Sequence, residues 1–302
     1  MKNAIMYYYN LIPTSIHLTN DYIRFNVNDE SYMLEVYKRN ADEIQDLYNL
    51  SLYLLQYNVL CHQIIPNKSN QLITFINNIP YVLLKVFVDN KQLIRQEDLL
   101  TFQNIIIDEN KFKSIKRNNW LDLWTTKIDY LEYQVSEFGK KYSIIRDSFS
   151  YYIGLAENAI QFLKTINKRV PLCIAHRRIK KDYTMYDLYN PLEFIIDTRI
   201  RDYSEYFKQI FLEENIDLEN IKTYIYNNNL MEFEIKLLFC RMLFPTTYFD
   251  VYEDIVIDSA DESLLLPIIN KSNEYESLLK KIYLFLFNYS YTEVIEWLNI
   301  SI

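Results

Sequence analysis

The sequence predicts an α+β fold in which a small antiparallel sheet with one helix precedes a larger, mainly helical region. Residues 14–38 alternate apolar and polar side chains with a period of two, which is typical of strands with one buried face. From Glu97 onwards, apolar residues recur with the helical period of about 3.6 instead. Because strands and helices fall in separate runs, the chain belongs to the α+β class.

The N-terminal elements can be assigned individually from turn residues and periodicity. They are two strands within 14–38 joined at 28–30, a helix over 41–57, and two strands over 72–77 and 81–88 joined at Asn77 and Asn78. We expect residues 1–89 to form an N-terminal lobe and residues 90–302 a helical C-terminal lobe, because polar residues at 89–91 would serve as the hinge.

The C-terminal region is expected to be built from long helices. The predicted ranges are 97–108, 119–138, 147–167, 202–214, 231–244 and, with breaks, 273–299. Gly139 stands where a left-handed C-cap would end the second of these helices. Gly154 lies inside the third, where glycine costs about 1 kcal/mol relative to alanine. We therefore expect a neighbouring element to pack closely against Gly154.

Charge and hydropathy exclude two classes of partner. A net charge of −8 opposes nonspecific binding to nucleic acid, which needs clustered Lys and Arg against phosphates. The chain has no run of about 18 uncharged apolar residues, and its N-terminus lacks a signal-peptide cleavage pattern. We expect a soluble protein made in the cytosol, without nucleic-acid or membrane partners.

The cysteines and histidines do not suggest a metal centre. Cys61, Cys173 and Cys240 are odd in number, widely spaced and set among apolar residues, so we expect buried free thiols. The three histidines have no Cys or second His at ligand spacing.

Aromatic residues make up 16% of the chain and include 28 tyrosines. An AT-rich coding sequence is the simpler explanation of this content. A tyrosine-rich surface nonetheless favours protein contacts, which suits an assembly component with protein partners.

Three segments carry a resemblance to a known family. The first comprises Leu-Cys-Ile-Ala-His-Arg-Arg-Ile at 172–179, Leu-Glu-Phe-Ile-Ile-Asp at 192–197 and Arg-Asp-Tyr-Ser-Glu-Tyr-Phe at 201–207. This order resembles the aminoglycoside-phosphotransferase and spore-coat CotS branch of the protein-kinase-like superfamily, whose pattern is His-x-Asp-x-x-x-x-Asn followed by Ile-Asp. His-Arg-Arg and the segments 148–160 and 237–248 make the chain most similar to YutH-type spore-coat-associated proteins. The resemblance implies a two-lobed protein-kinase-like fold.

Phosphoryl transfer from ATP requires a phosphate-covering loop, a strand lysine, carboxylates for magnesium and a carboxylate base. Residues 1–138 contain no glycine, so a glycine-rich phosphate loop is absent from that range. In the resembling families a lysine follows a Tyr-x-Leu pattern on the third strand, and here Glu35 stands in its place. Lys38 or Lys85 are the alternatives if a nucleotide binds.

The positions of the catalytic loop are also substituted. Arg178 occupies the place of the base, and a guanidinium has no lone pair with which to accept a proton. Tyr183 replaces the Asn that would bind a second magnesium ion, which leaves Asp197 as the candidate metal ligand. Asp182 and Asp187 are alternative bases, with loop-surface acids as the simpler interpretation.

The remaining family positions have structural interpretations. His176 is expected to be a core histidine. Asp197 can accept a hydrogen bond from His176 or pair with Arg178, and we expect the ion pair with Arg178. Asp202 is expected to N-cap a helix beginning at Tyr203, with a loss of about 1 kcal/mol on substitution by Ala. A basic cluster surrounds the loop and comprises Lys164, Lys168, Arg169, Arg177, Arg178, Lys180 and Lys181. It is either a solvated surface with ion pairs or an anion site formed by Arg177, Arg178 and Lys181.

These substitutions predict a catalytically degenerate, pseudokinase-type protein with a binding or structural role. The resemblance implies association with the spore coat, and we expect no catalytic residues, no resident cofactor and no metal. The alternative is a divergent ATP- and Mg-dependent small-molecule phosphotransferase of the aminoglycoside or choline kinase type. The sequence does not identify the substrate of such an enzyme or the protein partner of a coat component.

Overall fold

The computed structural model describes residues 1–19, 22–108, 110–138, 141–166, 168, 170–180, 182–214 and 216–289. The expectations for Gly139, Arg169, Lys181 and the helix end at 290–299 fall outside these residues. The chain divides into two compact units. The first unit comprises Met1–Arg117, Leu172–Arg178 and Asp182–Asp197, and the second comprises the described residues within Asn118–Pro171, Ile179–Lys181 and Thr198–Ile302. The division at residue 89 is a different partition and stays a prediction.

The N-terminal part of the first unit consists of a sheet and two helices. Its elements are α1 (Lys2–Tyr9), β1 (Ser15–Leu18), β2 (Tyr22–Val27), β3 (Glu30–Val36), α2 (Ile44–Leu55), β4 (Gln63–Ile65), β5 (Thr74–Ile76) and β6 (Ile79–Val86). Among the described residues the strand order is β1-β2-β3-β6-β4, with β5 also pairing to β6, and each of these neighbouring pairs is antiparallel. This is the predicted small antiparallel sheet with a helix.

Both predicted hairpin turns are present. Asn28 and Asp29 join β2 to β3, and Asn77 and Asn78 join β5 to β6, all with positive φ. Asn and Asp tolerate this left-handed backbone, which two-residue hairpins need in order to follow the strand twist. The stretch expected to be one strand before Asn28 is itself a hairpin of β1 and β2, and the hydroxyl of Thr19 donates to the carbonyl of Tyr22.

The two faces of this sheet have different roles. One face packs against α1 around a buried cluster that includes Phe25, Tyr32, Leu34 and Leu83. Because side chains alternate along a strand, Met33, Glu35 and their cross-strand partners project from the opposite face. That second face contacts Tyr186 and Asn190, described below.

The middle of the chain completes the first unit and begins the second. Its elements are α3 (Leu100–Gln103), β7 (Ile106–Ile107), α4 (Trp120–Phe138), α5 (Ser143–Lys164), β8 (Leu172–His176), α6 (Met185–Leu188) and β9 (Phe194–Thr198). Strands β7, β8 and β9 are neighbours in a separate sheet. The helix expected over 97–108 is shorter than predicted, because Ile106 and Ile107 pair with β8 instead of continuing α3.

Helices make up the rest of the second unit in the described chain. They are α7 (Ile200–Glu214), α8 (Leu218–Asn227), α9 (Glu232–Leu243), α10 (Thr246–Asp258), α11 (Leu266–Asn270) and α12 (Ser272–Tyr289). Helix α7 begins at Ile200, so Asp202 lies in its first turn and is not its N-cap, contrary to expectation. A carboxylate in the first turn still interacts favourably with the helix dipole. None of the described helices combines the length and apolar character needed to cross a bilayer.

The expectation for Gly154 is wrong. It lies within α5, but a Cβ added at this position would have no heavy atom within 4 Å outside its local helix. No close packing therefore requires glycine here. Its carbonyl accepts a hydrogen bond from Asn158, and the next turn of α5 is intact.

We therefore predict that Gly154→Ala stabilises the protein. Alanine removes the helix-propensity cost of glycine, about 1 kcal/mol, without a steric penalty. Urea denaturation at neutral pH should show a higher midpoint with an unchanged slope. Asn158→Ala is the control, because it removes the local hydrogen bond without changing the backbone at Gly154. A lower midpoint for Gly154→Ala would contradict the open space found around this residue.

Candidate functional site

Glu35 on β3 points to the second face of the sheet, in surroundings that are unusual for a carboxylate. It accepts a hydrogen bond from Nδ2 of Asn190 at 3.1 Å. Burial raises the pKa of Glu35 from 4.5 to about 7, and the nearby charges of Glu193 and Asp187 add to this rise, whereas Asn190 and Lys38 oppose it. A lysine at this position would neutralise phosphate charge, but Glu35 contributes a group that is either neutral or negative.

Lys85 and Lys38, the two alternative lysines for a nucleotide, do not lie where Glu35 lies. Lys85 on β6 pairs with Tyr32 of β3, so it lies on the face opposite Glu35. Its ammonium group forms an ion pair with Glu30 and lies 5.6 Å from the ring centroid of Phe87. Lys38 follows β3 and is exposed. Lys85 therefore supplies no cation on the strand face that carries Glu35, whereas Lys38 is near enough to lower the pKa of Glu35.

Residues 183–194, here called the latch segment, run against the same side of the sheet. Their backbone is paired with the chain that follows β6. Ile94 donates to the Tyr183 carbonyl, Met185 to Gln92 and Tyr186 to Asn90, with distances from 2.9 to 3.1 Å. The amide of His62, just before β4, donates to the Tyr189 carbonyl at 3.0 Å. The latch segment is thus hydrogen-bonded at several points along its length.

Side chains of the latch segment cover the sheet face beside Glu35. The Tyr186 hydroxyl donates to the sulfur of Met33 at 2.8 Å, and its ring lies 4.6 Å from the ring of His62. His62 donates from Nε2 to the Tyr186 carbonyl and accepts at Nδ1 from the Phe87 amide. Burial lowers the pKa of His62 to about 4, so its ring is neutral at physiological pH. Tyr186 and Asn190 of the latch segment therefore contact the sheet face that carries Met33 and Glu35.

His176 is a buried core histidine, as the simpler interpretation predicted. Its side chain is 1% exposed, and Nε2 lies 2.9 Å from the Leu188 carbonyl, to which it can donate. The rings of Phe102, Tyr183 and Phe194 surround it at centroid distances of 5.4 to 5.8 Å. His176 thereby links β8 to the end of α6.

The other family-motif positions, Arg178, Tyr183 and Asp197, differ in burial and contacts. Arg178 is partly buried, and its guanidinium donates to the carbonyl of Arg177 at 3.2 Å. Tyr183 is buried beside His176 and offers a phenol where an amide oxygen is needed for a metal. Asp197 is fully buried at the end of β9. Within the described ranges, no three His, Cys, Asp or Glu side chains are grouped to hold a metal.

Asp187 and Asp182, the two alternative bases, differ in their hydrogen bonds and exposure. Asp187 belongs to the capping box of α6, where its carboxylate accepts from the amide of Thr184 at 2.8 Å and from its hydroxyl at 2.6 Å. A carboxylate held in this way stabilises the first turn of a helix. Asp182 is exposed on the loop before α6.

Sequence reasoning did not identify the ion pairs that hold the first unit together. Glu43, at the start of α2, is 4% exposed and contacts Arg39 and Arg117, each at 2.6 Å. Arg39 also donates to the carbonyls of Leu192 and Phe194 at 2.8 Å. These contacts connect α2 to the chain entering β9. A glutamate at the start of an apolar helix was the available signal.

A second buried ion-pair group lies entirely within the second unit. Glu205 on α7 contacts Arg241 of α9 at 2.9 Å and Lys208 at 3.2 Å. The guanidinium of Arg241 lies 4.8 Å from the Trp120 ring. Arg241 and Thr246 fall in the family-like segment 237–248, and Thr246 also bonds Glu205. The signal in the sequence was an arginine within an otherwise apolar run.

The second unit also contains a small cavity of about 40 Å³. Aromatic residues form part of its wall, including Tyr152, Phe211, Tyr248 and Tyr275. None of the site residues predicted from the sequence lines it. The three cysteines are free and buried, as expected.

Solved structures define the fold class. Over 95% of this chain and 97% of its own, an aminoglycoside phosphotransferase from Alicyclobacillus acidocaldarius matches with a TM-score of 0.61 and 12% identity. A spectinomycin phosphotransferase solved with ADP and spectinomycin matches over 95% and 96%, with a TM-score of 0.58 and 11% identity. The fold is that of the kinase-like aminoglycoside phosphotransferases, with an N-terminal antiparallel sheet and a mainly helical remainder.

The family follows from the sequence match. The family described as "Spore coat putative kinase YutH" matches residues 2–282, so this chain belongs to the YutH spore-coat family. The endospore coat-associated protein YutH of Bacillus subtilis is 29% identical over 187 residues. That alignment covers 53% of this chain, and the chain spans about half, 54%, of the length of this curated relative.

Proposed function

We propose that this YutH family member is a kinase-like protein that does not transfer phosphate and that acts as a binding or structural component of the spore coat. The observation that carries the proposal is Glu35, a carboxylate with a raised pKa that is bonded to Asn190 on the face where a phosphate-binding lysine is required. An anion at this position repels a triphosphate, and a neutral carboxyl gives no compensating charge.

The loop chemistry supports the same function. Arg178 stands where a base must remove a proton from the acceptor hydroxyl, and a guanidinium cannot accept one. Tyr183 and Asp197 do not together supply the oxygen ligands that magnesium takes in kinases. The residues present therefore do not fit ATP with magnesium, and no catalytic step is assigned to them.

The role in the coat is supported by the family and by the surface. Both the family description and the name of the Bacillus subtilis relative refer to the spore coat. The exposed side chains include five tyrosines that are 48 to 72% exposed, namely Tyr7, Tyr57, Tyr130, Tyr133 and Tyr226. Tyrosine rings suit protein interfaces because they bury a large area at little entropic cost. Synthesis in the cytosol, followed by assembly with coat proteins, fits this role.

The second candidate is a divergent ATP- and Mg-dependent small-molecule phosphotransferase. It is favoured by the word kinase in the family description. Such an enzyme would use Asp182 or Asp187 as base, Lys38 or Lys85 on the nucleotide and Asp197 on the metal. The two candidates differ in whether the protein binds nucleotide at all.

We predict that millimolar ATP with Mg²⁺ does not raise the thermal midpoint of the protein at pH 6 or pH 8. A ligand at 100 times its Kd would add about 2.7 kcal/mol and would be readily detected. Two pH values are needed because Glu35 changes charge between them. A nucleotide-binding aminoglycoside phosphotransferase is the positive control. Transfer of label from ATP to a small molecule or protein, abolished by Asp197→Asn in a folded variant, would contradict the proposal.

A further inference from the structure

The cavity of the second unit is lined by two residues whose buried hydroxyl groups have no partner. In the part of the chain that the structure describes, the hydroxyl oxygens of Tyr152 and Thr247 are buried without a hydrogen bond, and both residues line the cavity. A buried hydroxyl without a partner is unfavourable, and native proteins pair nearly all such groups with protein, water or a ligand. The cavity is therefore where a partner for both hydroxyls can bind.

The tyrosine hydroxyls and the ammonium groups elsewhere on the wall already have partners. They belong to Tyr151, Lys208, Tyr248, Lys271 and Tyr275, which bond respectively to Glu276, Glu205, Ser148, the Phe211 carbonyl and the Met242 carbonyl. Tyr152 and Thr247 are thus the buried members of the wall whose hydrogen bonds remain to be made.

Tyr152 is held in a fixed orientation. It is 5% exposed, and its ring stacks on Tyr248 with a centroid distance of 3.8 Å and 15° between the ring planes. Burial raises the pKa of its hydroxyl above the usual value, so the group keeps its proton and can donate it in a hydrogen bond. Thr247 lies in the first turn of α10. Because a hydroxyl both donates and accepts, the pair complements a neutral hydroxyl and supplies no counter-charge for an anion.

The cavity also lies where two segments of the family resemblance meet. Tyr152 belongs to the segment 148–160, and Thr247 belongs to the segment 237–248. Neither segment contains a position of the phosphotransferase motif, so neither is used by the function proposed above. A shared cavity with two unpartnered hydroxyls gives these segments a binding role of their own.

The size of the cavity limits what it can take up. Its volume is about 40 Å³, and one water-sized group needs about 10 to 15 Å³. About three non-hydrogen atoms therefore fit inside. The rest of a ligand would lie at the mouth, beside the more exposed wall residue Tyr151. The aromatic residues of the wall suit an apolar or aromatic group there.

We propose that this cavity binds a small uncharged molecule that carries a hydroxyl next to an apolar or aromatic group, with Tyr152 and Thr247 as its hydrogen-bond partners. Benzyl alcohol has this chemistry, because its hydroxymethyl group and the adjoining ring carbon match the cavity and its ring can contact the aromatic wall. The site is independent of the proposed function, since it requires neither a nucleotide nor a coat protein.

The test is a titration of the full chain with benzyl alcohol, followed by the amide chemical shifts of residues 150–156 and 245–249. These shifts should saturate with a Kd in the millimolar range. Toluene lacks the hydroxyl and should bind about tenfold more weakly, because it leaves both protein hydroxyls without a partner. Benzoate should also bind about tenfold more weakly, because its charge is costly to bury without a counter-ion.

Two variants each remove one hydroxyl and keep nearly the same shape. Tyr152→Phe and Thr247→Val should each weaken the binding of benzyl alcohol about three- to tenfold and leave the binding of toluene unchanged. Tyr133→Phe is the control, because Tyr133 is 63% exposed on α4 and does not line the cavity. It should bind benzyl alcohol as the wild type does.

The urea midpoint of the ligand-free protein gives a second measurement. Tyr152→Phe should not lower it, because the lost hydroxyl has no partner. Tyr248→Phe should lower it, because this change breaks the contact with the Ser148 hydroxyl.

Four outcomes would overturn the proposal. They are the absence of saturable binding of benzyl alcohol, equal or tighter binding of toluene or benzoate, an unchanged affinity in Tyr152→Phe, and a lower urea midpoint for Tyr152→Phe. The last result would mean that water already satisfies the hydroxyl and that the cavity is a water site only.

Discussion

Glu35→Gln should stabilise the protein at pH 8 by up to about 3 kcal/mol and should leave stability nearly unchanged at pH 4.5. The pKa of Glu35 is raised by burial to about 7 in the folded protein, whereas an unfolded glutamate titrates near 4.5. The native state therefore binds more protons than the unfolded state between these values. The free energy of unfolding falls as pH rises through this window and then levels off. Glutamine carries no charge at any of these pH values.

Urea denaturation between pH 4.5 and pH 8.5 measures this difference. Glu30→Gln is a matched control on the same strand, because Glu30 is solvent-exposed and its hydrogen bond from Lys85 lowers its pKa. Removal of the Glu30 charge should not stabilise the protein at pH 8. Parallel pH profiles for the wild type and Glu35→Gln would show that Glu35 is solvated in the folded state.

The elements that could be predicted from the sequence are those with a strong local signal. The Asn28 and Asn77 turns were predicted because asparagine favours left-handed backbone, and α4 because its apolar residues repeat over 19 residues. Helix α1 and strand β4 were missed because a short element has too few periods to show a pattern. The end of the 97–108 helix was wrong because pairing with β8 overrode local propensity.

The site was predictable to the level of motif positions and no further. The place of Glu35 on β3 followed from a local pattern, and alternation along a strand could set its face only relative to Lys38. The face of Lys85 depends on the β3 to β6 register, which arises from the assembled sheet. Asn190 lies 155 residues from Glu35 along the chain. A partner at that separation leaves no trace in a single sequence, so the contact between Asn190 and Glu35 could be found only in the structure.

Glu205→Gln should be among the most destabilising single substitutions in the second unit, with a loss of about 3 to 5 kcal/mol. Glu205 is 2% exposed, and its carboxylate contacts both Arg241 and Lys208, which are also buried. Glutamine has nearly the same volume, so the change removes charge without creating a cavity. Two buried cations then lose the carboxylate that they share, and desolvated charge is expensive when its counter-ion is removed.

The chain contains a matched control for this substitution. Glu219 and Lys222 form the same Glu-to-Lys pair with a spacing of three residues on α8, but the Glu219 side chain is 73% exposed. Glu219→Gln should change stability by less than about 0.5 kcal/mol because solvent screens an exposed pair. If the two substitutions have similar small effects in urea denaturation, then Glu205 does not neutralise the buried cations.

A double-mutant cycle separates the charge effect from packing. Lys208→Met removes one cation and keeps most of the apolar stem, so its combination with Glu205→Gln should cost less than the sum of the two single losses. Arg241 should remain in place in the double variant, because its guanidinium packs over the Trp120 ring at 4.8 Å as well as contacting Glu205. Additive losses would mean that Lys208 and Glu205 contribute independently, and the buried group would then be a set of separate contacts.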